Sequence, residues 1–210
     1  MPPTCWRNGR TYINGCSWPG VDFWPCCQTI SCSVPPANLC AASISEPNIM
    51  THTCLVAKLN WKYSWMWWTD GSRSDDGRVG AAAVCKHGDG WKAFRSHLGT
   101  GRVEVYDAEL WAVGLALRES VKKRDVLQTH GVTKVAVFSD SQAAIRRTEH
   151  LEPGPGQPLA RWINPSARTL RKAGIETEIH WVPGHTGIPG NEEADRQANL
   201  AREGRRAGTV

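Results

Sequence analysis

The order of elements predicts an α/β domain with a five-stranded mixed sheet flanked by helices, preceded by an irregular extension, and three observations carry that prediction. Strand-like runs between Trp61 and Leu98 follow one another across short polar turns, as an antiparallel meander does. A long, mostly apolar helical stretch spans Glu104–Lys123. Two later β-type runs, Thr133–Phe138 and Ile175–Val182, are separated by helical segments, so they join the sheet in parallel by crossover.

A chain of 210 residues holds one ordinary domain plus an extension. The net charge of +5 permits a polyanionic partner without requiring one. Seven of the eight cysteines fall at or before Cys54, so the cysteine-rich texture belongs to residues 1–60 alone. That segment is rich in Cys, Pro, Ser, Asn and Trp and shows no sustained period, and it is read as an extension with no chemistry of its own. The domain then runs over 61–203, followed by a frayed tail over 204–210. No early cysteines form a C-x-x-C pair, which argues against structural zinc. Arg7 and Arg10 interrupt the first residues and no apolar run of signal length follows, which disfavours secretion. Tyr63–Trp68 is far short of a membrane span. An intracellular protein without a membrane partner is expected.

Taken in order, Trp61–Thr69 reads as a first strand ending in the turn Asp70-Gly71-Ser72, which places Asp70 at a strand end. Val79–Lys86 and Trp91–Leu98 follow as strands joined by a hairpin turn at His87–Gly90. Gly80, Ala81, Ala82 and Ala83 are small enough to let a helix approach the second strand closely. Within Glu104–Lys123, Glu109 is the only charged residue between Asp107 and Arg118, and a carboxylate in such surroundings needs a metal, a proton or a cation nearby. Thr133–Phe138 reads as a strand covered on both faces, and Asp140 follows it as Asp70 follows the first. Ser141–Thr148 is a short helix, 151–158 a loop and Leu159–Ala173 a further helix stopped by Gly174.

The last strand feeds the stretch His180–Asp195, HWVPGHTGIPGNEEAD, in which a glycine-rich loop carries His185 and a helix start carries acids. Asn191 is read as the N-cap, with Asp195 on the first full turn of a helix that runs to about Glu203. In open α/β sheets, sites gather at the carboxyl ends of strands. Asp70, Glu109, Asp140 and Asp195 can meet at one such rim, and acids with no equally clear basic partner call for divalent cations. All-oxygen ligation suits Mg²⁺ or Mn²⁺, and a pair of such ions suits phosphodiester hydrolysis. His185 then stands beside the site as a proton carrier or an aid to product release.

The motifs Thr69-Asp70-Gly71-Ser72, Asp107-Ala108-Glu109-Leu110, Ser139-Asp140-Ser141-Gln142 and Gly184–Asp195 together resemble the type 1 ribonuclease H domain, particularly that of retrotransposon reverse transcriptases. The resemblance covers about Tyr63 to Glu203. It implies a ribonuclease H-like fold and cutting of the RNA strand of an RNA–DNA hybrid to leave 3′-hydroxyl and 5′-phosphate ends. It further implies Asp70, Glu109, Asp140 and Asp195 as catalytic acids holding two Mg²⁺ ions, with His185 assisting. Asn191 falls where relatives support the site, and Ser72, Ser141 and Gln142 fall where substrate contacts are expected. A reverse transcriptase polymerase is the partner that such a domain implies. The loop 151–158 is too short for the basic protrusion of some members, which implies modest hybrid affinity for the domain alone. Basic residues in Arg118–Arg124 and at Arg146, Arg147, Arg168, Arg171 and Lys172 are candidates for phosphate contact, and solvated helix faces explain most of them equally well. Two other functions are compatible with parts of the pattern: a catalytically silent hybrid-binding module, and a transposase or integrase of similar fold. Intact acids oppose the first, and the His185 loop with the Ala108-Glu109-Leu110 helix opposes the second.

Overall fold

The computed structural model describes residues 63–101, 103–149 and 152–204, so the expectations for 1–60 and for 205–210 lie outside the described residues. The described chain forms β1 (Ser64–Arg73), β2 (Arg78–His87), β3 (Gly90–Thr100), α1 (Val105–Lys122), α2 (Arg124–Thr129), β4 (Lys134–Ser139), α3 (Gln142–Glu149), α4 (Gln157–Lys172), β5 (Glu176–Trp181) and α5 (Pro189–Arg202). The strands make one five-stranded sheet in the order β3-β2-β1-β4-β5. β1–β2 and β2–β3 pair antiparallel, whereas β1–β4 and β4–β5 pair parallel, as the meander and the crossovers predicted. No helix among the described residues is long and apolar enough to cross a membrane.

β1 is the middle strand, and its two-residue alternation sends neighbouring tryptophans to opposite faces. Trp67 packs with Leu110, Val113 and Leu117 of α1 and with Ile163 and Leu170 of α4. Its indole donates to Ser120 Oγ at 2.8 Å, so the one polar atom of a fully buried side chain is satisfied. Trp68 faces the other way, stacked on Phe138 with centroids 5.3 Å apart, and packs with Ile188 just before α5 and with Ala194 of α5. β4 obeys the same rule, with Val135 and Val137 on the α1 side and Ala136 and Phe138 on the α5 side.

Small residues on β2 meet α5 closely, as expected. A Cβ added to Gly80 would lie 2.2 Å from Arg202 N and 2.4 Å from the Ala198 carbonyl oxygen, a contact only glycine permits. The register of β2 against β3 slips between Val79 and Gly80, where Leu98 of β3 is the extra, unpaired residue.

The structure corrects several local expectations. β1 does not stop before Asp70 but continues to Arg73, because antiparallel pairing with β2 runs on through Asp70↔Ala82 to Arg73↔Val79. Asn191 is not the N-cap: α5 is capped by Ile188, Pro189 is its first residue, and the fixed φ of proline suits that position. Asp195 is consequently the seventh residue of α5, nearly two turns in. α4 begins at Gln157, inside the segment read as a loop, and α2 is an additional short helix before β4.

Replacing Trp67 with alanine removes the side chain that joins the sheet to both α1 and α4. The expected cost is about 3–5 kcal/mol, read as a lowered urea midpoint with an unchanged slope.

Candidate active site

The parallel ladder between β1 and β4 ends at the pair Thr69↔Ser139. The next residues are Asp70 and Asp140, so register alone sets these two acids side by side at the carboxyl end of the ladder. Thr69 ties the strands just below them, its hydroxyl donating to the Phe138 carbonyl at 3.0 Å. Glu109 arrives from α1, because β1 and the start of that helix meet backbone to backbone. A Cβ on Gly71 would lie 2.6 Å from Glu109 N. One carboxylate oxygen from each of Asp70, Glu109 and Asp140 lies within 4.8 Å of the others. Asp195 projects from α5, half-buried, and its charge acts on both Asp70 and Asp140.

The electrostatics are those of acids held together against their own repulsion. Asp70 is 6 % exposed, and burial, followed by the charges of Asp140 and Asp195, pushes its pKa from the ordinary 3.8 up to about 8. Burial, then Asp70 and Asp140, drives Glu109 well above its ordinary value. Asp140 is also raised, mainly by burial, against the opposing pull of the Asn191 amide and the charge of His185. Among the described residues no ion pair joins any of the four acids to a lysine or arginine. Glu109 Oε2 is buried with no hydrogen-bond partner. An orphaned carboxylate oxygen among three clustered acids fits a hard divalent cation, and a donor set of oxygens alone fits Mg²⁺ or Mn²⁺ better than zinc.

β5 leads the His185 loop past this cluster. Trp181, the last residue of β5, pairs with Ser139, and its indole donates to the Asp140 carbonyl at 2.9 Å. The chain then passes so close that a Cβ on Gly184 would lie 2.5 Å from Asp140 Oδ2. His185 follows, exposed, with a left-handed φ of 52°. The loop is tied to α5 by the Gly187 amide, which donates to Glu192 Oε1 at 3.1 Å.

The remaining residues singled out in the sequence occupy different places. Asn191 is buried in the first turn of α5, where its Nδ2 donates to Asp140 Oδ2 at 3.3 Å. Ser141 caps α3, its hydroxyl accepting from the Ala144 amide at 3.3 Å. Gln142 is half-buried at the start of α3, and its Oε1 accepts from Arg146 at 3.3 Å. Ser72 is buried behind the acids, donating to Asn199 Oδ1 at 2.8 Å. Arg168, Arg171 and Lys172 are exposed along α4, whereas Lys122 and Arg124 pair with Glu119 and Asp125. Sequence reading passed over Asn199 and Trp181. The four-residue spacing from Asp195 to Asn199 on one helix was a usable sign of the first, while nothing local pointed to the second.

A family model described as RNase H matches residues 62–203. The fold is shared with the N-terminal RNase H domain of a Mycobacterium tuberculosis protein, solved as a fusion with maltose-binding protein, at 21% identity over 68% of this chain and 96% of that one, with a TM-score of 0.50. A second structure, LC11-RNase H1 isolated from compost by a metagenomic approach, matches at 19% identity over 68% of this chain and 97% of that one, with a TM-score of 0.52. RNase H1 of the halophilic archaeon Halobacterium salinarum NRC-1 aligns at 22% identity over 67% of this chain and 98% of that one, with a TM-score of 0.48.

The raised acids make the stability of the metal-free protein fall as pH rises. Below about pH 4 the Asp70 carboxyl is protonated in both the folded and the unfolded chain, and its folded pKa of about 8 means that between these values only the folded chain keeps the proton. Thermal unfolding in EDTA should therefore give a lower melting temperature at pH 8 than at pH 5. Excess Mg²⁺ or Mn²⁺ at pH 8 should restore much of the difference, since the cation replaces the proton.

Proposed function

The chain belongs to the ribonuclease H family, and from that premise we propose that it is a divalent-metal-dependent endonuclease hydrolysing the RNA strand of RNA–DNA hybrids. The observation that carries the proposal is the cluster of Asp70, Glu109 and Asp140, held at the end of the parallel strands within 4.8 Å and without a basic partner among the described residues. A structural ion network would place a lysine or arginine among such acids; a cation site leaves them unpaired.

Asp70, Glu109, Asp140 and Asp195 would hold two Mg²⁺ ions, with Mn²⁺ as a substitute. When bound, such ions supply the positive charge that activates water for attack on the scissile phosphorus and stabilises the departing 3′-oxygen. The protein's own residues provide the frame. The β1–β4 ladder holds Asp70 and Asp140 at fixed spacing, Asn191 and Trp181 hold the side chain and the backbone of Asp140, and Gly71 seats the helix that carries Glu109. His185 is exposed, its charge acts on Asp140, and among the described residues its ring makes no hydrogen bond, which supports the role of carrying a proton or easing product departure. Selection of RNA over DNA rests on the 2′-hydroxyl, read across the minor groove of the hybrid. Gln142 and the exposed Arg168, Arg171 and Lys172 are the groups we assign to the substrate and its phosphates. The motif resemblance to retrotransposon copies supports an intracellular retroelement origin, with a reverse transcriptase polymerase as partner.

The test is a cleavage assay on a labelled RNA–DNA hybrid and on the matching double-stranded DNA. In Mg²⁺ the RNA strand is cut and the DNA duplex is not, and EDTA stops the reaction. A well-folded protein inactive in both Mg²⁺ and Mn²⁺ would instead be a silent hybrid-binding module. Asp70→Asn is expected to abolish turnover with an unchanged circular dichroism spectrum, and a wild-type rate in that variant would refute the site. His185→Ala should slow turnover by about 10²-fold without weakening metal binding.

A further inference from the structure

A continuous hydrogen-bonded chain runs from the end of α5 through β1 and back to the fourth acid. Arg202 Nη1 donates to Ser72 Oγ at 3.1 Å. Ser72 Oγ donates to Asn199 Oδ1 at 2.8 Å. Asn199 Nδ2 donates to Asp195 Oδ1 at 3.1 Å and to the Asp195 carbonyl at 3.0 Å.

The polarity of the chain follows from its first member. A guanidinium carries donors only, so Ser72 Oγ accepts from Arg202 and must direct its own proton elsewhere. That proton goes to Asn199 Oδ1, which decides which end of the carboxamide faces inward. The NH₂ group is then the end presented to Asp195. Reversing the carboxamide would set oxygen against carboxylate and leave the Ser72 proton unpaired at a site only 8 % exposed. With Oδ1 held by Asn199, Oδ2 of Asp195 has no hydrogen bond among the described residues and is the oxygen left for a cation.

We infer that Ser72 and Asn199 are positioning residues that orient the Asp195 carboxylate for metal binding, an inference that rests on the proposed role of Asp195 as the fourth acid. Docking of α5 does not need this chain. The helix already packs against the sheet through Gly80 and Gly190, through Ala194 in the Trp68–Phe138 cluster, and through buried Ala198 and Ala201. Removing the Ser72 hydroxyl therefore disturbs the direction of one carboxylate more than it disturbs the fold. Ser72 thus acts on Asp195 from behind, through Asn199, and its hydroxyl is spent inside the domain rather than offered to substrate.

The full chain is compared with Ser72→Ala, Asn199→Ala and the double variant. Mn²⁺ binding is read by electron paramagnetic resonance without substrate, and hybrid cleavage is read separately as kcat and KM. Each single variant is expected to weaken Mn²⁺ binding about tenfold, and to lower kcat while leaving KM for the hybrid unchanged. Because Ser72 acts through Asn199, the double variant should be no worse than Asn199→Ala alone. Wild-type Mn²⁺ affinity in both single variants, with only the melting temperature lowered, would reduce the chain to a structural tie and overturn the inference, as would additive losses in the double variant. If Ser72→Ala does not fold, Asn199→Ala carries the test by itself. Should the wild type bind Mn²⁺ yet cut no hybrid, the proposed activity fails while weakened binding in the variants still supports the positioning chain. A wild type that binds no Mn²⁺ overturns both.

Discussion

The backbone contact between Gly71 of β1 and the start of α1 at Ala108 and Glu109 is the constraint on which the rim of acids depends. Any Cβ at residue 71 would collide with that helix, so the approach is possible only for glycine. It brings a helix-borne carboxylate into register with two strand-borne ones. The same closeness takes Glu109 out of solvent, and burial is the largest cause of its raised proton affinity. Assembly of the cluster and its electrostatic cost are therefore one event.

That cost is carried by the rest of the fold. β1 lies between an antiparallel and a parallel neighbour and is pressed by helices from both faces, so Asp70 has no low-energy route away from Asp140. Trp67 and Trp68 supply much of the apolar burial, one on each side, and the polar atom of Trp67 is satisfied by Ser120. A frame of this stiffness lets buried acids persist in a conformation that repulsion alone would scatter, which is how sites preorganised for a cation hold their geometry without it.

The order of strands and helices was readable because period and punctuation agreed along the chain. The β-branched run before Asp140, the long apolar helix around Glu109 and the small residues of β2 each had one consistent interpretation, and each is found in place. The resemblance of four short motifs to ribonuclease H is matched by the family assignment over nearly the same residues. The errors fell where local signals were ambiguous. Asp70-Gly71-Ser72 has turn composition, yet β2 supplies backbone partners that draw it into a strand. Asn191 has the composition of a cap, yet Pro189 starts the helix two residues earlier and turns the Asn191 amide toward Asp140.

From the residue order alone came the class of fold, the family and the set of candidate acids, because those depend on residue type, period and motif. Which atoms face one another came only with the packed structure. Asp70 and Asp140 are neighbours by strand register, Glu109 joins them by a helix–strand contact, and Asn199 is aimed at Asp195 by a serine 127 positions away. Hydrogen-bond direction and carboxylate spacing depend on contacts between distant segments, and no local pattern in His180–Asp195 encodes them. That stretch supplies His185 and Asp195, while β1, β4 and α1 decide what they stand beside.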